Sequence, residues 1–170
     1  MSALALAHSI ESLIRSRGAA CAFPVNIGVN SVAAHYTPSR TDDISLKVGD
    51  VVKIDLGAHV DGYPGDTSVT VELGTRNNQR LISCAEDALR MAIEMVAPGT
   101  TTSAIGDAVE RAIRSAGYRP VENLTGHSME RYNLHAGLSI PSVRTRESQT
   151  VEEGMVIAIE PFSTTGKGKV

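Results

Sequence analysis

The sequence predicts a mixed α/β domain, in which helices and strands follow one another along one chain. Three observations indicate this class: an amphipathic helical pattern near the N-terminus, a Val- and Ile-rich hairpin pattern in residues 46–73, and a later repeat of the same helix-then-strands order. The chain has 170 residues, of which 42% are apolar, and that composition excludes a disordered chain. This length can bury a sizeable core, so we expect residues 1–170 to form a single domain.

The spacing of apolar residues predicts a first helix over residues 3–17, which Gly18 ends. Four apolar residues recur at this helical spacing: Leu6, Ile10, Leu13 and Ile14. A segment rich in Gly, Pro and Asn, residues 23–40, follows this helix. Two more helices are expected after the hairpin, over residues 79–96 with Asn78 as a cap and over residues 103–115. Short β-like runs separated by turns make up the rest of the chain.

The hairpin pattern has Asp61-Gly62 at its centre, a dipeptide typical of two-residue turns. With these residues as the turn, Gly57 lies opposite Asp66. Because side chains alternate along a strand, Asp55 and Asp66 then become diagonal neighbours on one face. The other face is apolar and is expected to pack on helices; it carries Val52, Ile54, Leu56, Val69, Val71 and Leu73.

The chain repeats itself in two places, in the same order and at nearly the same offset. IESLIRSRG at 10–18 matches VERAIRSAG at 109–117, and LKVGDVVKID at 46–55 matches VEEGMVIAIE at 151–160. The offsets are 99 and 105 residues. We interpret this as an internal duplication of a helix-then-strands unit. It makes Asp55 and Glu160 equivalent residues, each expected to end an otherwise apolar strand.

Several function classes are excluded by composition and by missing motifs. The formal charge is −3 and no basic block is present, which argues against general nucleic-acid binding. No apolar run is long enough to span a bilayer. G-x-S-x-G, P-loop and C-x-x-C motifs are absent. Cys21 and Cys84 have no evident base beside them, and we expect reduced thiols in a cytoplasmic protein.

The carboxylates are better candidates for chemistry. Asp55 and Asp66 would repel each other on one face of the hairpin unless a cation lay between them. For Asp61 a turn role is sufficient, because Asp-Gly at a hairpin tip needs no function. Glu160 stands in the apolar run IAIEPF, where it either joins a metal site or pairs with an arginine such as Arg144 or Arg146. Three inward acids favour hard cations with oxygen ligands.

Three of the five histidines stand in contexts that favour a functional role. His127 and His135 are eight residues apart in LTGHSMERYNLHAG, so an extended segment could direct both to one side. His35 follows small residues and precedes a proline turn in AAHYTP. We assign His8 and His59 structural roles. Acids together with a histidine suit a pair of Mn, Fe, Co or Zn ions.

Four blocks of the sequence resemble the type 2 methionine aminopeptidases, and most closely their archaeal form. The blocks cover most of residues 20–168 in order: FPVNIGVNSVAAHYTP, GDVVKIDLGAHVDGYPGDTSVTV, NLTGHSMERYNLHAGLSIP and EEGMVIAIEPFSTTGKG. The resemblance implies the pita-bread fold, a pseudo-two-fold duplication that agrees with the repeat in this chain. It also implies two divalent metal ions, with Co, Mn, Fe, Zn or Ni all compatible with the ligand types.

The resemblance assigns roles to six residues. Asp55, Asp66, His127 and Glu160 match metal ligands, and Asp66 matches the aspartate that bridges both metals. His35 and His135 match the two histidines that contact substrate and the developing tetrahedral centre, and they are the expected catalytic and substrate-binding residues. The family's fifth ligand, a late glutamate, has no match here, because the counterpart of Asp66 would fall at 171 or later. We therefore expect a chain clipped at its C-terminus, and slightly at its N-terminus, with weak metal binding and little activity on its own.

The function implied is removal of the initiator methionine from nascent polypeptides by a metal-activated water. Nascent N-termini are the expected partners, transient contact with the ribosome is left open, and the complete protein is expected to be a cytoplasmic monomer. Two alternatives remain. One is a related metallopeptidase acting on X-Pro bonds. The other is a non-catalytic pita-bread protein that binds the ribosome, RNA or a protein; the metal-type residues and the acidic charge argue against it.

Overall fold

A computed structural model describes all 170 residues, which form three helices and eight strands. The elements follow in the order α1 (Ala3–Ser16), β1 (Ala20–Val29), β2 (Val51–Val60), β3 (Tyr63–Glu72), α2 (Gln79–Met95), α3 (Thr102–Ser115), β4 (Arg119–Pro120), β5 (Thr125–Met129), β6 (Ser139–Pro141), β7 (Val156–Ala158) and β8 (Ser163–Thr164). The mixed α/β class is confirmed. No helix is both long and apolar enough to cross a membrane.

The chain divides into two compact units. The first comprises Met1–Asn78 together with Arg131–Leu134, and the second comprises Gln79–Glu130 together with His135–Val170. The expectation of one domain over residues 1–170 stays a prediction.

The first unit consists of α1 and a three-stranded antiparallel sheet in the order β1-β2-β3. The helix agrees with the predicted one, and the Ser2 side chain caps it by accepting a hydrogen bond from the Ala5 N–H. Its apolar face packs on the sheet around a core of five buried residues: Ala3, Ala7, Val25, Ile27 and Val52. This core lies on the sheet face opposite to the acidic face, which carries Asp55 and Asp66.

The predicted hairpin register is confirmed. Asp55 pairs with Ser68 and Gly57 pairs with Asp66 along two strands of 10 residues each. The turn residues Asp61 and Gly62 both have positive φ, 49° and 86°, as a two-residue hairpin turn with the twist of the strands requires. The register of the acids therefore follows from the turn.

The expected packing of the apolar face is wrong for β3. Val69 and Val71 are 49% and 37% exposed, although they share a face with buried Val52. The reason is position in the sheet: β3 is an edge strand, and α1 packs on β1. One helix of 14 residues covers only part of a three-stranded face.

The second unit is built around α2 and α3, which pack against each other. Both helices lie within a residue of the predicted bounds. They share a core with strands and loops of the same unit, made of Cys84, Ala88, Ala92, Ile105, Val109, Ile113, Leu138, Ile140 and Val151. Two small antiparallel sheets complete the unit, one in the order β6-β5-β7 and one pairing β4 with β8.

Matching stretches of the repeat adopt matching local structure. Gly18 and Gly117 follow α1 and α3 with φ of 81° and 86°, and Gly49 and Gly154 have φ of 93° and 84° two residues before β2 and β7. The expectation that an acid ends each strand needs correction. Asp55 lies in the middle of β2, because β2 continues into the hairpin turn, whereas Glu160 lies two residues beyond the short β7.

Candidate metal centre

In the first unit, Asp55 and Asp66 project from adjacent strands onto one face of the hairpin. Asp66 is paired with Gly57, and Gly57 stands two residues from Asp55 on the same strand face. Both aspartates are half-buried. The ring of Phe23 lies against Gly57, so closely that a Cβ at this position would overlap the ring. Glycine at this position therefore leaves room for the Phe23 ring.

The Asp55 carboxylate accepts a hydrogen bond from a residue that sequence reasoning did not single out. The Asn26 amide nitrogen donates to Asp55 Oδ2 at 3.3 Å, and Asn26 is the β1 residue directly paired with Asp55. The Thr37 hydroxyl donates in turn to Asn26 Oδ1 at 2.8 Å. No sequence signal indicates this pairing, because irregularities in β1 shift the register between Cys21 and Asn26.

Lys53 is the second residue of this face that the sequence did not single out. It is two residues from Asp55 on β2, and it is half-buried with its ammonium beside Gly28. Burial lowers the pKa of the Lys53 ammonium from 10.5 to about 8, and the Asp55 carboxylate opposes that fall. The sheet face that carries Asp55 and Asp66 therefore also carries the Lys53 ammonium.

His35 lies on the loop after β1, with an exposed side chain. Its φ is 59°, in the left-handed region that a residue with a Cβ seldom adopts. The next residue, Tyr36, is tied to β1 because its carbonyl accepts from the Ile27 N–H at 2.8 Å. A non-glycine residue held in this conformation is a common feature of functional sites.

In the second unit, His127 and Glu160 form a close pair. His127 Nε2 lies 3.1 Å from Glu160 Oε1, and the histidine is 7% exposed. The pair arises because His127 on β5 is directly opposite Ala158 on β7, two residues before the glutamate. Gly126 permits that approach, since a Cβ there would overlap the Ala158 carbonyl oxygen. Glu160 therefore faces a histidine, whereas the backbone N–H of Arg144 donates to Glu110.

His135 lies beside His127 in the same unit, with ring centroids 4.2 Å apart and planes tilted by 58°. Its imidazole is exposed, unlike that of His127. Ser128 sets this arrangement: its carbonyl accepts from the Ala136 N–H at 2.8 Å, and its hydroxyl accepts from the Leu138 N–H at 3.1 Å. These bonds anchor residues 136–138, which follow His135, next to β5.

The remaining candidates have structural surroundings. His59 Nδ1 accepts from the Gly62 N–H at 3.2 Å, and Asp61 occupies the hairpin turn. Cys84 is buried in the core of the second unit, where burial and then the charge of Asp87 raise the pKa of its thiol. His8 is exposed on α1.

The donor sets of the two units fit a divalent cation chemically. The hairpin offers two carboxylates on one face, and the second unit offers an imidazole nitrogen and a carboxylate oxygen 3.1 Å apart. Mixed oxygen and nitrogen donors are the ligands of Mn, Fe, Co, Ni and Zn ions in proteins.

The family model for "Metallopeptidase family M24" matches residues 1–170, the whole chain. The chain belongs to family M24. A methionine aminopeptidase of Archaeoglobus fulgidus is 50% identical over 167 residues, which are 98% of this chain and 57% of that protein. The chain thus spans a little over half the length of this curated relative. The M24 assignment makes divalent metal part of the family's chemistry and leaves the number and identity of the ions open.

Solved structures support the M24 assignment at the level of the fold. The crystal structure of a methionine aminopeptidase from Rickettsia prowazekii aligns with a TM-score of 0.89 at 31% identity, covering 98% of this chain and 70% of the other. An X-Pro aminopeptidase from Thermotoga maritima aligns with a TM-score of 0.80 at 22% identity, covering 96% and 48%. The second likeness shows a shared fold alone. The pita-bread fold expected from the sequence is therefore confirmed.

Proposed function

We propose that the protein carrying this chain is a metallo-aminopeptidase that removes the initiator methionine from nascent polypeptides in the cytoplasm. The observation that carries this proposal is the His127–Glu160 pair with His135 beside it, in a chain half identical to a methionine aminopeptidase. Nascent N-termini are its proposed partners. Transient contact with the ribosome and a monomeric state belong to the same proposal.

Four residues are the proposed ligands of two divalent ions: Asp55, Asp66, His127 and Glu160. They supply the carboxylate and imidazole donors that Co, Mn, Fe, Ni or Zn ions accept. Bound divalent ions supply Lewis acidity, which polarises a scissile carbonyl and lowers the pKa of an attacking water. The protein's own task is to hold these donors at fixed positions. Register does this for the aspartates, and the β5–β7 pairing does it for His127 and Glu160.

Two histidines are proposed to act on the substrate. His135 is exposed and lies against the buried His127, so its ring can donate an N–H to an oxygen that gains charge as the peptide bond breaks. His35 is exposed on a loop whose backbone is tied to β1, which suits a group that must meet a substrate at a fixed position. Neither histidine is needed as a ligand in this scheme.

The decisive experiment measures metal content and peptide cleavage together, in the natural protein that contains this chain. It is loaded with Co²⁺ or Mn²⁺ and offered Met-Ala-Ser and a matched peptide with proline in second position, Ala-Pro-Ser. We expect metal-dependent release of methionine from the first peptide, abolished by a chelator and restored by added metal. Faster cleavage of Ala-Pro-Ser would favour the X-Pro alternative. Bound metal with neither cleavage, or no metal at all, would contradict the peptidase and favour a binding protein.

A further inference from the structure

The hydrogen bonds from Thr37 through Asn26 to Asp55 form a continuous chain within the first unit. They link the loop that carries His35 to the middle of the sheet, where the acidic face lies. Asn26 and Asp55 are directly paired on neighbouring antiparallel strands, so their side chains project from the same face. The pairing depends on the irregular register of β1 between Phe23 and Asn26. This bulge selects which β1 side chain faces the aspartate.

The donors and acceptors of Thr37, Asn26 and Asp55 allow these hydrogen bonds to run in only one direction. An ionised carboxylate can only accept, so the Asn26 amide must present its nitrogen to Asp55. Its oxygen then faces Thr37, whose hydroxyl donates to it at 2.8 Å. Both ends of the amide are therefore engaged, and its rotation is restrained. Because a carboxylate has about four lone-pair sites, the single N–H from Asn26 takes up only one of them.

Hydrogen bonds to β1 also anchor the loop immediately after His35. His35 has φ of 59°, and the two residues that follow it are both bound to β1. The Tyr36 carbonyl accepts from the Ile27 N–H, and the Thr37 hydroxyl donates to Asn26. A left-handed conformation at a histidine persists where its surroundings hold it. These two bonds hold the backbone to β1 on the C-terminal side of His35.

We propose that Asn26 and Thr37 are positioning residues, which orient the Asp55 carboxylate for a divalent cation and hold the His35 loop in register with it. This inference rests on the proposed function, because it takes Asp55 as a ligand. Outer residues that orient a ligand tune metal affinity, and their removal costs about 10- to 100-fold in affinity. Asn26 does the orienting, and Thr37 fixes Asn26.

A matched control exists immediately after the same strand. Asn30 also donates its amide to an aspartate, Asp50, at 2.9 Å, and its oxygen accepts from the Val51 N–H. This second Asn–Asp pair lies just past the C-terminal end of β1, next to the start of β2, and involves no proposed ligand. Removal of Asn30 therefore tests whether the loss of any Asn–Asp bond in this sheet has the same effect.

The test measures Co²⁺ affinity and the Co²⁺ visible absorption spectrum for five forms of the protein: wild type, Asn26→Ala, Thr37→Val, Thr37→Ser and Asn30→Ala. We expect Asn26→Ala to weaken Co²⁺ binding by about 10- to 100-fold and to shift the spectrum. Thr37→Val should weaken binding by a smaller factor. Thr37→Ser keeps the hydroxyl and should bind like wild type, as should Asn30→Ala. Unchanged affinity in Asn26→Ala, or equal losses in Asn26→Ala and Asn30→Ala, would overturn the proposal.

A metal-free measurement separates this inference from the proposed function. The backbone carbon shifts of His35, recorded by NMR without metal, report its left-handed conformation. Thr37→Val should move them toward extended values, and Thr37→Ser should leave them in place. If wild type binds no Co²⁺, the ligand assignment fails and with it the orienting role of Asn26. Unchanged His35 shifts in Thr37→Val would overturn the role in holding the loop.

Discussion

Both units contain a helix, a glycine turn and a strand that leads to a carboxylate. They differ in how that carboxylate is held in position. In the first unit, β2 and β3 run for 10 residues each and are paired along their full length. Asp55 lies inside this ladder and is met by an amide, Asn26. In the second unit the strands have two to five residues, and Glu160 lies beyond the end of β7, where it meets His127.

This difference shows two ways in which the fold fixes the position of a carboxylate side chain. A long hairpin transmits the geometry of its turn to every pair of residues along it, so the aspartates depend on the local chemistry of Asp61 and Gly62. The short strands of the second unit cannot do this. His127 and Glu160 depend instead on a close backbone approach at Gly126 and on the buried core formed with α2 and α3.

The units also differ at one repeated position. Lys53 corresponds to Ala158 by the 105-residue offset, so a half-buried lysine in the first unit stands where the second unit has the alanine that pairs with His127. The first unit therefore places the Lys53 ammonium near Asp55, whereas the second unit places the His127 imidazole near Glu160.

Removal of one proposed ligand from each unit should have the largest effect. Asp66→Asn and Glu160→Gln each retain size and lose a negative donor, and we expect each to lower metal affinity by more than about 100-fold and to abolish peptide cleavage. Bound metal measured by atomic absorption checks this. Asp61→Asn is the control, since asparagine also tolerates a positive φ in the turn, and it should change neither quantity. Full metal content in Asp66→Asn would refute the ligand assignment.

Replacement of the two exposed histidines should separate turnover from metal binding. We expect His35→Ala and His135→Ala to lower kcat by about 10²-fold, because each loses a group that acts on the substrate. Metal content should stay within about twofold of wild type, since neither ring is a proposed ligand. Steady-state kinetics with parallel metal analysis tests both claims. A histidine whose removal empties the site would have to be reclassified as a ligand.

Alanine at three glycines should reveal how each unit tolerates a methyl group. Gly126→Ala places a Cβ on a backbone oxygen inside the β5–β7 ladder, so we expect a loss of about 3 kcal/mol in the free energy of unfolding. Gly57→Ala meets the Phe23 ring, a side chain that can move, and should cost about 1 kcal/mol. Gly65→Ala is the control, because its nearest neighbour, the Ala58 carbonyl oxygen, is 4.0 Å away. Urea unfolding checks the order, and equal losses at Gly126 and Gly57 would contradict it.

Lys53 should add a pH dependence to stability that arises from the first unit. Its pKa is lowered to about 8 by burial, so between pH 8 and 10.5 the unfolded chain binds more protons than the folded one. The free energy of unfolding should therefore rise with pH across this window, by about 2 kcal/mol once partial exposure is allowed for. Urea unfolding of metal-free protein at several pH values measures the rise. Lys53→Met should remove it, and a rise of equal size in that variant would assign it to other groups.

The sequence determined what depends on neighbours along the chain. The Asp61-Gly62 turn specified the hairpin register, because both residues adopt the positive φ that a tight hairpin needs. Apolar spacing together with a following glycine specified α1 and α3 almost to the residue. The resemblance of four sequence blocks indicated the family, which the match over the whole chain then established. The metal and substrate roles of the six site residues stay predictions.

Tertiary structure decided what depends on residues far apart in the chain. No local pattern places Asn26 opposite Asp55, because a shift in β1 sets that pairing and its position is fixed by how the strand packs. The exposure of Val69 and Val71 follows from where α1 lies on the sheet, which alternation along β3 cannot reveal. Glu160 could equally have met an arginine, and only the pairing of β5 with β7 brings it to His127. Sequence period fixes the face of a side chain, whereas its partner on that face depends on the packing of other segments.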